Sequence, residues 1–331
     1  MVAESDYLLE IQDLDVSFEL RQGLARALRG VDIRLRPGEA HALVGESGSG
    51  KTITSMCILG LLATPPGRVN RGKVIFQNRD LLQLSENERR KVRGKDIGMI
   101  FQEPGKYLNP AYKIGEQITE TLILHFQMGK KDAIEKALEL LNLVGLGKNR
   151  RVLNSYPHEL SGGMKQRAMI AMAIACRPAL LIADEPTTAL DVTLQLQILR
   201  LLLKLRAKFG MGILFISHDL GVVKEIADRI SVIYAGKIIE SATKQQLFDD
   251  PLHPYTQLLL LSIPDAAKRG ERLRAIPGTV PDAERIPSGC SFHPRCPLAE
   301  DACRVGIPPD IDYGDGHQAA CFLIGKKWLH S

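Results

Sequence analysis

The stretch Gly45-Glu46-Ser47-Gly48-Ser49-Gly50-Lys51-Thr52 constrains this chain more than any other. It fits G-x-x-x-x-G-K-[ST], a loop whose backbone cradles phosphate. His41-Ala42-Leu43-Val44 before it reads as a short buried strand, and Ile53 to Leu62 after it, apolar and free of proline, reads as a helix. Gly45, Gly48 and Gly50 let the backbone turn tightly and bring its N–H groups close to phosphate oxygens. Ser47 and Ser49 belong to the same cradle. The helix that follows turns its positive end to the same place. Lys51 is placed to reach β- and γ-phosphates, and Thr52 to offer its hydroxyl to Mg²⁺. An ordinary glycine-rich turn would not need both Lys51 and Thr52 in this context.

The chain has 331 residues, 45% hydrophobic and 24% charged, enough for a full core and for one large domain with a smaller one. The net charge of +5 is spread without a dense Lys/Arg block, so no nucleic-acid partner is expected. The acidic start, Met1 to Asp6, does not read as a secretory signal. No stretch approaches the length of a membrane span; Leu258 to Ile263 is far too short. A cytoplasmic chain with reduced cysteines is expected.

Residues Leu8 to Leu20 and Val31 to Leu35 alternate as half-buried strands do, and Lys73 to Phe76 reads as a third strand of the same β-layer. Ile97 to Phe101 is a short apolar strand ending in Gln102. Lys131 to Leu141 and Met164 to Ala175 read as helices. Ala179 to Ala183, Gly212 to Ser217 and Ile230 to Ala235 read as strands, with an amphipathic helix over Thr193 to Arg206. Strands alternating with helices imply an α/β fold with a mostly parallel sheet. Prolines become frequent after Pro251, which sets an expected boundary between domains at 1–250 and 251–331.

Leu180-Leu181-Ile182-Ala183-Asp184-Glu185 is an apolar strand ending in two carboxylates. In a phosphate-loop enzyme the first, Asp184, holds Mg²⁺, and the second, Glu185, is placed to polarise an attacking water. Leu160-Ser161-Gly162-Gly163-Met164-Lys165-Gln166 is a second helix start open to an anion: Ser161 can cap it, and the glycines leave its amides bare. The order of these motifs resembles the ABC ATPases, whose signature is L-S-G-G-x-x-Q. The resemblance implies their RecA-like parallel sheet, antiparallel β-layer and helical subdomain. It also implies roles. Gln102 would contact Mg²⁺ and the attacking water. Ala189-Leu190-Asp191 would lie at a dimer interface. His218 would contact the γ-phosphate and Phe18 would stack on adenine. Ser161, Gly162, Gly163 and Gln166 would serve the nucleotide of a partner subunit.

Tyr156 to Met164, Ala183 to Asp191 and His253-Pro254-Tyr255-Thr256 are similar to the dipeptide/oligopeptide importer ATPases, and the likeness runs from about residue 8 to about 322. One departure follows Gln102. That subfamily usually reads D-P-M-x-S-L-N-P, whereas this chain has Glu103-Pro104-Gly105-Lys106-Tyr107-Leu108-Asn109-Pro110. This segment faces the membrane partner in the family.

Cys57 and Cys176 sit in apolar, helix-like surroundings. Cys290, Cys296, Cys303 and Cys321 crowd the C-terminal end as C-x5-C-x6-C-x17-C. Clustered thiolates in a reduced compartment point to metal. The two-residue spacing of a zinc ribbon is absent, and wider spacing suits an iron–sulfur cluster, with zinc, or four buried thiols without metal, as the alternatives. Resemblance to the importer subfamily implies the 4Fe–4S type, in a small loop-rich domain expected to lie far from the phosphate loop. His293 is expected to be a neighbour rather than a ligand.

The expected protein is an ATP-hydrolysing subunit that drives a peptide importer at the cytoplasmic face of the inner membrane. Expected partners are a second, non-identical ATPase subunit, two membrane-spanning permease subunits and an external substrate-binding protein. The alternatives are the same machinery serving an oligosaccharide or nickel, a soluble non-transport ABC ATPase, and a redox sensor.

Overall fold

The computed structural model describes residues 6–21, 23–148, 150–188, 190–263 and 276–324. In chain order it begins with β1 (Leu9–Leu20), β2 (Gly23–Leu35), β3 (Ala40–Val44), α1 (Lys51–Leu59), β4 (Gly67–Phe76) and β5 (Arg79–Asp80). Then come α2 (Glu86–Val92), β6 (Ile97–Ile100), α3 (Pro104–Tyr107), α4 (Ile114–Phe126), α5 (Lys130–Leu143), α6 (Arg150–Asn154) and α7 (Gly162–Ala173). The chain continues through β7 (Leu180–Asp184), α8 (Val192–Phe209), β8 (Gly212–Ser217), α9 (Leu220–Ile226), β9 (Arg229–Tyr234), β10 (Lys237–Thr243) and α10 (Lys244–Asp249). It closes with α11 (Pro254–Leu261), α12 (Asp301–Val305), β11 (Ile311–Asp312) and β12 (Gln318–Ala319). These elements form two compact units: one holds residues up to Leu35, 40–82 and 216 onward, the other 36–39 and 83–215.

The first unit contains the expected β-layer, an antiparallel sheet in the order β2-β1-β4-β5. Leu9, Leu14 and Val16 of β1 are fully buried, and a register shift between Ile11 and Leu14 interrupts the alternation. A second set of strands runs β11-β12-β10-β9-β3. β3 and β9 are parallel, Ala42 opposite Ile230 and Val44 opposite Val232. β10 and β12 are antiparallel additions, Glu240 opposite Ala319. The sheet is therefore mixed, and the C-terminal segment contributes a strand to it. β10 was not anticipated, because Lys237 to Thr243 mixes polar and apolar residues without a clear period.

In the second unit the strand order is β8-β7-β6. β7 is buried along its whole length, the pattern of a parallel strand covered on both faces. α8 buries Ile198, Leu199, Leu201, Leu202 and Leu205 on one face. Asp191 caps its start by accepting from Leu194 N–H at 2.9 Å, and Gly210 ends it at φ 65°. α5 falls where helical periodicity places it, and α7 where a proline-free run of helix formers places it. α4 was missed, although buried Ile114, Ile118 and Leu122 stand at i, i+4, i+8 on one face. Among the described residues no helix is long and apolar enough to cross a membrane.

One buried polar chain ties β3 to its surroundings. His41, 1% exposed, contacts Arg34 O through Nδ1 at 3.0 Å and Ser231 Oγ through Nε2 at 2.8 Å. The carbonyl can only accept, so Nδ1 carries the proton and Nε2 accepts from Ser231. Burial, reinforced by the nearby Arg229 cation, lowers the His41 pKa from 6.5 to about 4. The unfolded chain thus binds the proton first as pH falls, and stability is lost from 6.5 down through about 4. Denaturant unfolding at about pH 7.5 and about pH 5 should show lower stability at the acid end. His41→Asn should shrink that difference by roughly 2 kcal/mol, the linkage of one such group over this range.

Candidate functional site

β3 delivers the chain to the phosphate loop, and α1 takes it away. Gly45 lies so close to β9 that a Cβ there would run into the Ile233 carbonyl. Gly50, the residue before α1, has φ 108°, and Gly48 has φ 80°, both left-handed conformations that suit glycine. Lys51 is 5% exposed, and its Nζ donates to Gly45 O at 2.7 Å and Glu46 O at 2.9 Å. Ser49 Oγ is buried with no hydrogen-bond partner among the described residues. Ser47, Gly48 and Thr52 are exposed, and the first turn of α1 holds no acidic residue to neutralise its positive end. A buried cation, an orphan hydroxyl and an uncompensated helix start fit a polyphosphate anion.

The second unit supplies carboxylates. β7 ends on Asp184, which is 4% exposed. Glu185 follows at φ 45°, a left-handed backbone that costs a non-glycine residue and marks functional turns. β6 and β7 run parallel with Ile100 opposite Ala183, so their ends open side by side. Gln102, just past β6, therefore meets Glu185: Nε2 donates to Oε2 at 2.7 Å. Thr188 Oγ1 donates to the same oxygen at 3.0 Å. The sequence reading missed Thr188, whose signal is a hydroxyl three residues after the acid.

Ser161 caps α7 with Oγ accepting from Met164 N–H at 3.4 Å. Ser161 and Gly162 are exposed, and a Cβ on Gly162 would meet nothing within 4 Å. Gly163 is half-buried, and a Cβ there would touch the Leu194 side chain at 3.5 Å. Gln166 is 2% exposed, and its Nε2 lacks a partner among the described residues. His218 is exposed in the first unit, one residue before the Asp219 cap of α9. Phe18 is half-buried on β1, opposite Ala25 and Gly67. Ala189 lies outside the described residues.

The structure brings the four C-terminal cysteines together. Among the described residues no group of three or more His, Cys, Asp or Glu side chains is arranged to hold a metal ion. Cys290, Cys296, Cys303 and Cys321 are free thiols that instead line one cavity together with His253 and Phe292. Burial raises the Cys290 pKa, that of Cys296 to about 11 and that of Cys321 to about 12. His293 hydrogen-bonds through Nδ1 to Cys290 O at 3.0 Å. The expected remoteness from the phosphate loop fails. Arg295, next to Cys296, donates Nη1 and Nη2 to the two carboxylate oxygens of Glu46, each at 3.0 Å.

The family described as ABC transporter matches residues 28–188, and the C-terminal region of oligopeptide/dipeptide transporters matches residues 239–303. Over 320 residues the chain is 49% identical to oligopeptide transport ATP-binding protein AppD of Bacillus subtilis (strain 168), covering 97% of this chain and 98% of that protein. The chain belongs to the ABC transporter ATP-binding proteins. Oligopeptide transport ATP-binding protein OppD of the same organism is 50% identical over 318 residues, covering 96% of this chain and 89% of its own. A solved dimeric ATP-binding cassette in a post-hydrolysis state bound to ADP and Pi matches with a TM-score of 0.64 and 28% identity, over 71% of this chain and 98% of its own.

In an ABC protein with this loop, Gly45→Ala should weaken binding of a fluorescent ATP analogue by roughly tenfold or more. The clashing atom is backbone and cannot turn aside, and overpacking of this kind costs about 1–3 kcal/mol. Gly105→Ala, where a Cβ meets nothing within 4 Å, should leave the titration unchanged.

Proposed function

We propose that this chain is the ATP-hydrolysing subunit of an importer that carries di- or oligopeptides across the cytoplasmic membrane. The observation that carries the reading is the near full-length likeness to oligopeptide transport ATP-binding proteins, which includes the C-terminal region described for such transporters. Residues 1–250 form the ATPase domain in this reading and 251–331 the importer-type C-terminal region. The chain works at the inner face of the membrane with a second ATPase subunit, two membrane-spanning permease subunits and an external substrate-binding protein. The dimeric relative bound to ADP and Pi supports the paired ATPase. Exposed Tyr107, Tyr112, Leu124 and Phe126 support a docking face for a permease.

Each site residue then has a task. Gly45, Ser47, Gly48, Ser49, Gly50 and Lys51 cradle the phosphates, and Phe18 stacks on adenine. Thr52, Gln102 and Asp184 would hold Mg²⁺, which neutralises charge on the β- and γ-phosphates when bound. Glu185 takes the proton of the water that attacks the γ-phosphate, and the products are ADP and phosphate. The hydrogen bonds from Gln102 and Thr188 hold that carboxylate in one orientation. His218 contacts the γ-phosphate. Ser161, Gly162, Gly163 and Gln166 serve the nucleotide of the partner subunit, and the open surroundings of Gly162 support an intermolecular role. Glu185→Gln should keep nucleotide affinity but lower ATP hydrolysis by roughly 100-fold or more in the assembled transporter, the worth of a positioned base. Phosphate release at the wild-type rate, with the second ATPase subunit inactivated, would overturn the assignment.

The finer part of the reading is a 4Fe–4S cluster on Cys290, Cys296, Cys303 and Cys321. Two features support it. The four thiols share one cavity. His253 is 1% exposed, and its Nδ1 accepts from Tyr255 N–H at 3.0 Å, so Nε2 carries the proton. That buried N–H lacks a partner among the described residues, and a cluster sulfur would supply one. Once bound, the cluster cross-links a segment poor in apolar core. Anaerobically purified protein should be brown with about four iron atoms per chain. Colourless protein with about one zinc would select the alternative metal.

A further inference from the structure

Glu46, the second residue of the phosphate loop, is held from the C-terminal region by two separate groups. Its carboxylate takes the paired Arg295 hydrogen bonds, both at 3.0 Å. Its backbone N–H donates to Tyr255 Oη at 3.1 Å. The Arg295 guanidinium is itself fixed. Nε donates to Pro277 O at 2.8 Å, Nη1 reaches Tyr234 Oη at 3.3 Å, and the side chain is 6% exposed. A guanidinium pinned on three sides cannot follow Glu46 if the loop moves.

Close neighbours of these residues build the wall of the cysteine cavity. Arg295 stands in a tight turn in which Cys290 O accepts from His293 N–H and His293 O accepts from Cys296 N–H. Phe292, which lines the cavity, packs edge-on against Tyr234 and Tyr255, both at 5.2 Å between ring centres. His253, also on the cavity wall, caps the helix that carries Tyr255. The path from the thiols to the phosphate loop is thus one or two residues long.

We infer that Arg295 and Tyr255 are positioning residues of the phosphate loop, and that through them nucleotide affinity is coupled to closure of the four-cysteine unit. Two physical effects act together. Fixing Glu46 at its side chain and its amide also fixes its carbonyl, one of the two on which Lys51 Nζ rests. The guanidinium also neutralises a carboxylate that stands in a loop built for a polyanion; without it, Glu46 would repel phosphate. Coupling of this kind is reciprocal, so bound nucleotide must in turn hold the cysteine unit closed. The inference rests on nucleotide binding at this loop and holds whichever metal the cysteines take.

The test uses the full chain as purified. Affinity for a fluorescent ATP analogue is measured for wild type, Arg295→Met, Glu46→Gln, the double variant and Tyr255→Phe. In parallel, deuterium labels the backbone amides with and without Mg-ADP, and mass spectrometry follows the peptides that carry Cys290, Cys296, Cys303 and Cys321 against one that carries buried Cys176. Arg295→Met should weaken affinity by about tenfold, since it leaves a half-buried carboxylate unpaired beside the phosphate site. In the Glu46→Gln background the same substitution should cost less than about threefold, because the two act through each other. Tyr255→Phe, which removes one oxygen and leaves the cysteine unit folded, should weaken affinity by about threefold. Mg-ADP should slow labelling of the peptides that carry the four cysteines in wild type but not in Arg295→Met. Arg295→Met affinity within twofold of wild type would overturn the inference. So would equal losses from Arg295→Met in the wild-type and Glu46→Gln backgrounds, or wild-type labelling indifferent to nucleotide. If Arg295→Met labels at the rate of denatured chain, Tyr255→Phe decides: unchanged affinity and unchanged nucleotide protection reject the coupling. Wild-type chain that binds no analogue would instead remove the ATPase reading itself.

Discussion

The nucleotide end of this molecule depends on how closely two parallel strands approach. β3 and β9 pair from His41 to Val44, and the chain leaves β3 at Gly45 directly against the Ile233 carbonyl. No side chain fits there, so the backbone turns at a fixed point and in a fixed direction. Everything downstream inherits that fix: the left-handed Gly48 and Gly50, the start of α1, and Lys51 folded back on Gly45 O and Glu46 O. A loop that must bind an anion through its amides needs a rigid departure from the sheet more than it needs any one side chain.

A parallel pairing does the same for the carboxylate end. β6 and β7 stop together, so residues 83 positions apart, Gln102 and Glu185, come within 2.7 Å. The strained backbone of Glu185 is tolerated because the buried strand before it and the Gln102 and Thr188 hydrogen bonds over-determine its place. In both units a strand end sets the geometry, and the chemistry is hung on the residue just beyond it.

What was legible in the sequence followed from chemistry that is local. Glycines with Lys51 and Thr52, an apolar run ending in Asp184 and Glu185, and Ser161 before two glycines each state a function within a few residues. The strands and most long helices were legible from apolar period. The short strand β10 was not, since a strand held mainly by its neighbours needs no pattern of its own. α4 carried a readable period at Ile114, Ile118 and Leu122 that was passed over. The Arg295–Glu46 pair joins positions 249 apart and has no local signal. The spacing of the C-terminal cysteines told that they belong together. It could not tell that Arg295, the residue before Cys296, reaches Glu46 of the phosphate loop, so the tail looked remote when it is adjacent.

The two-residue strand β12 has a consequence beyond the site. It covers the outer side of β10 at Glu240 and Ser241, and β11 beyond it is only two residues long. A seven-residue strand left bare would offer its unpaired amides and carbonyls to the same strand of another copy. The C-terminal segment therefore pairs with part of an edge that would otherwise be open. A chain synthesised as far as β10 carries an adhesive edge until the last part of the polypeptide arrives to seal it.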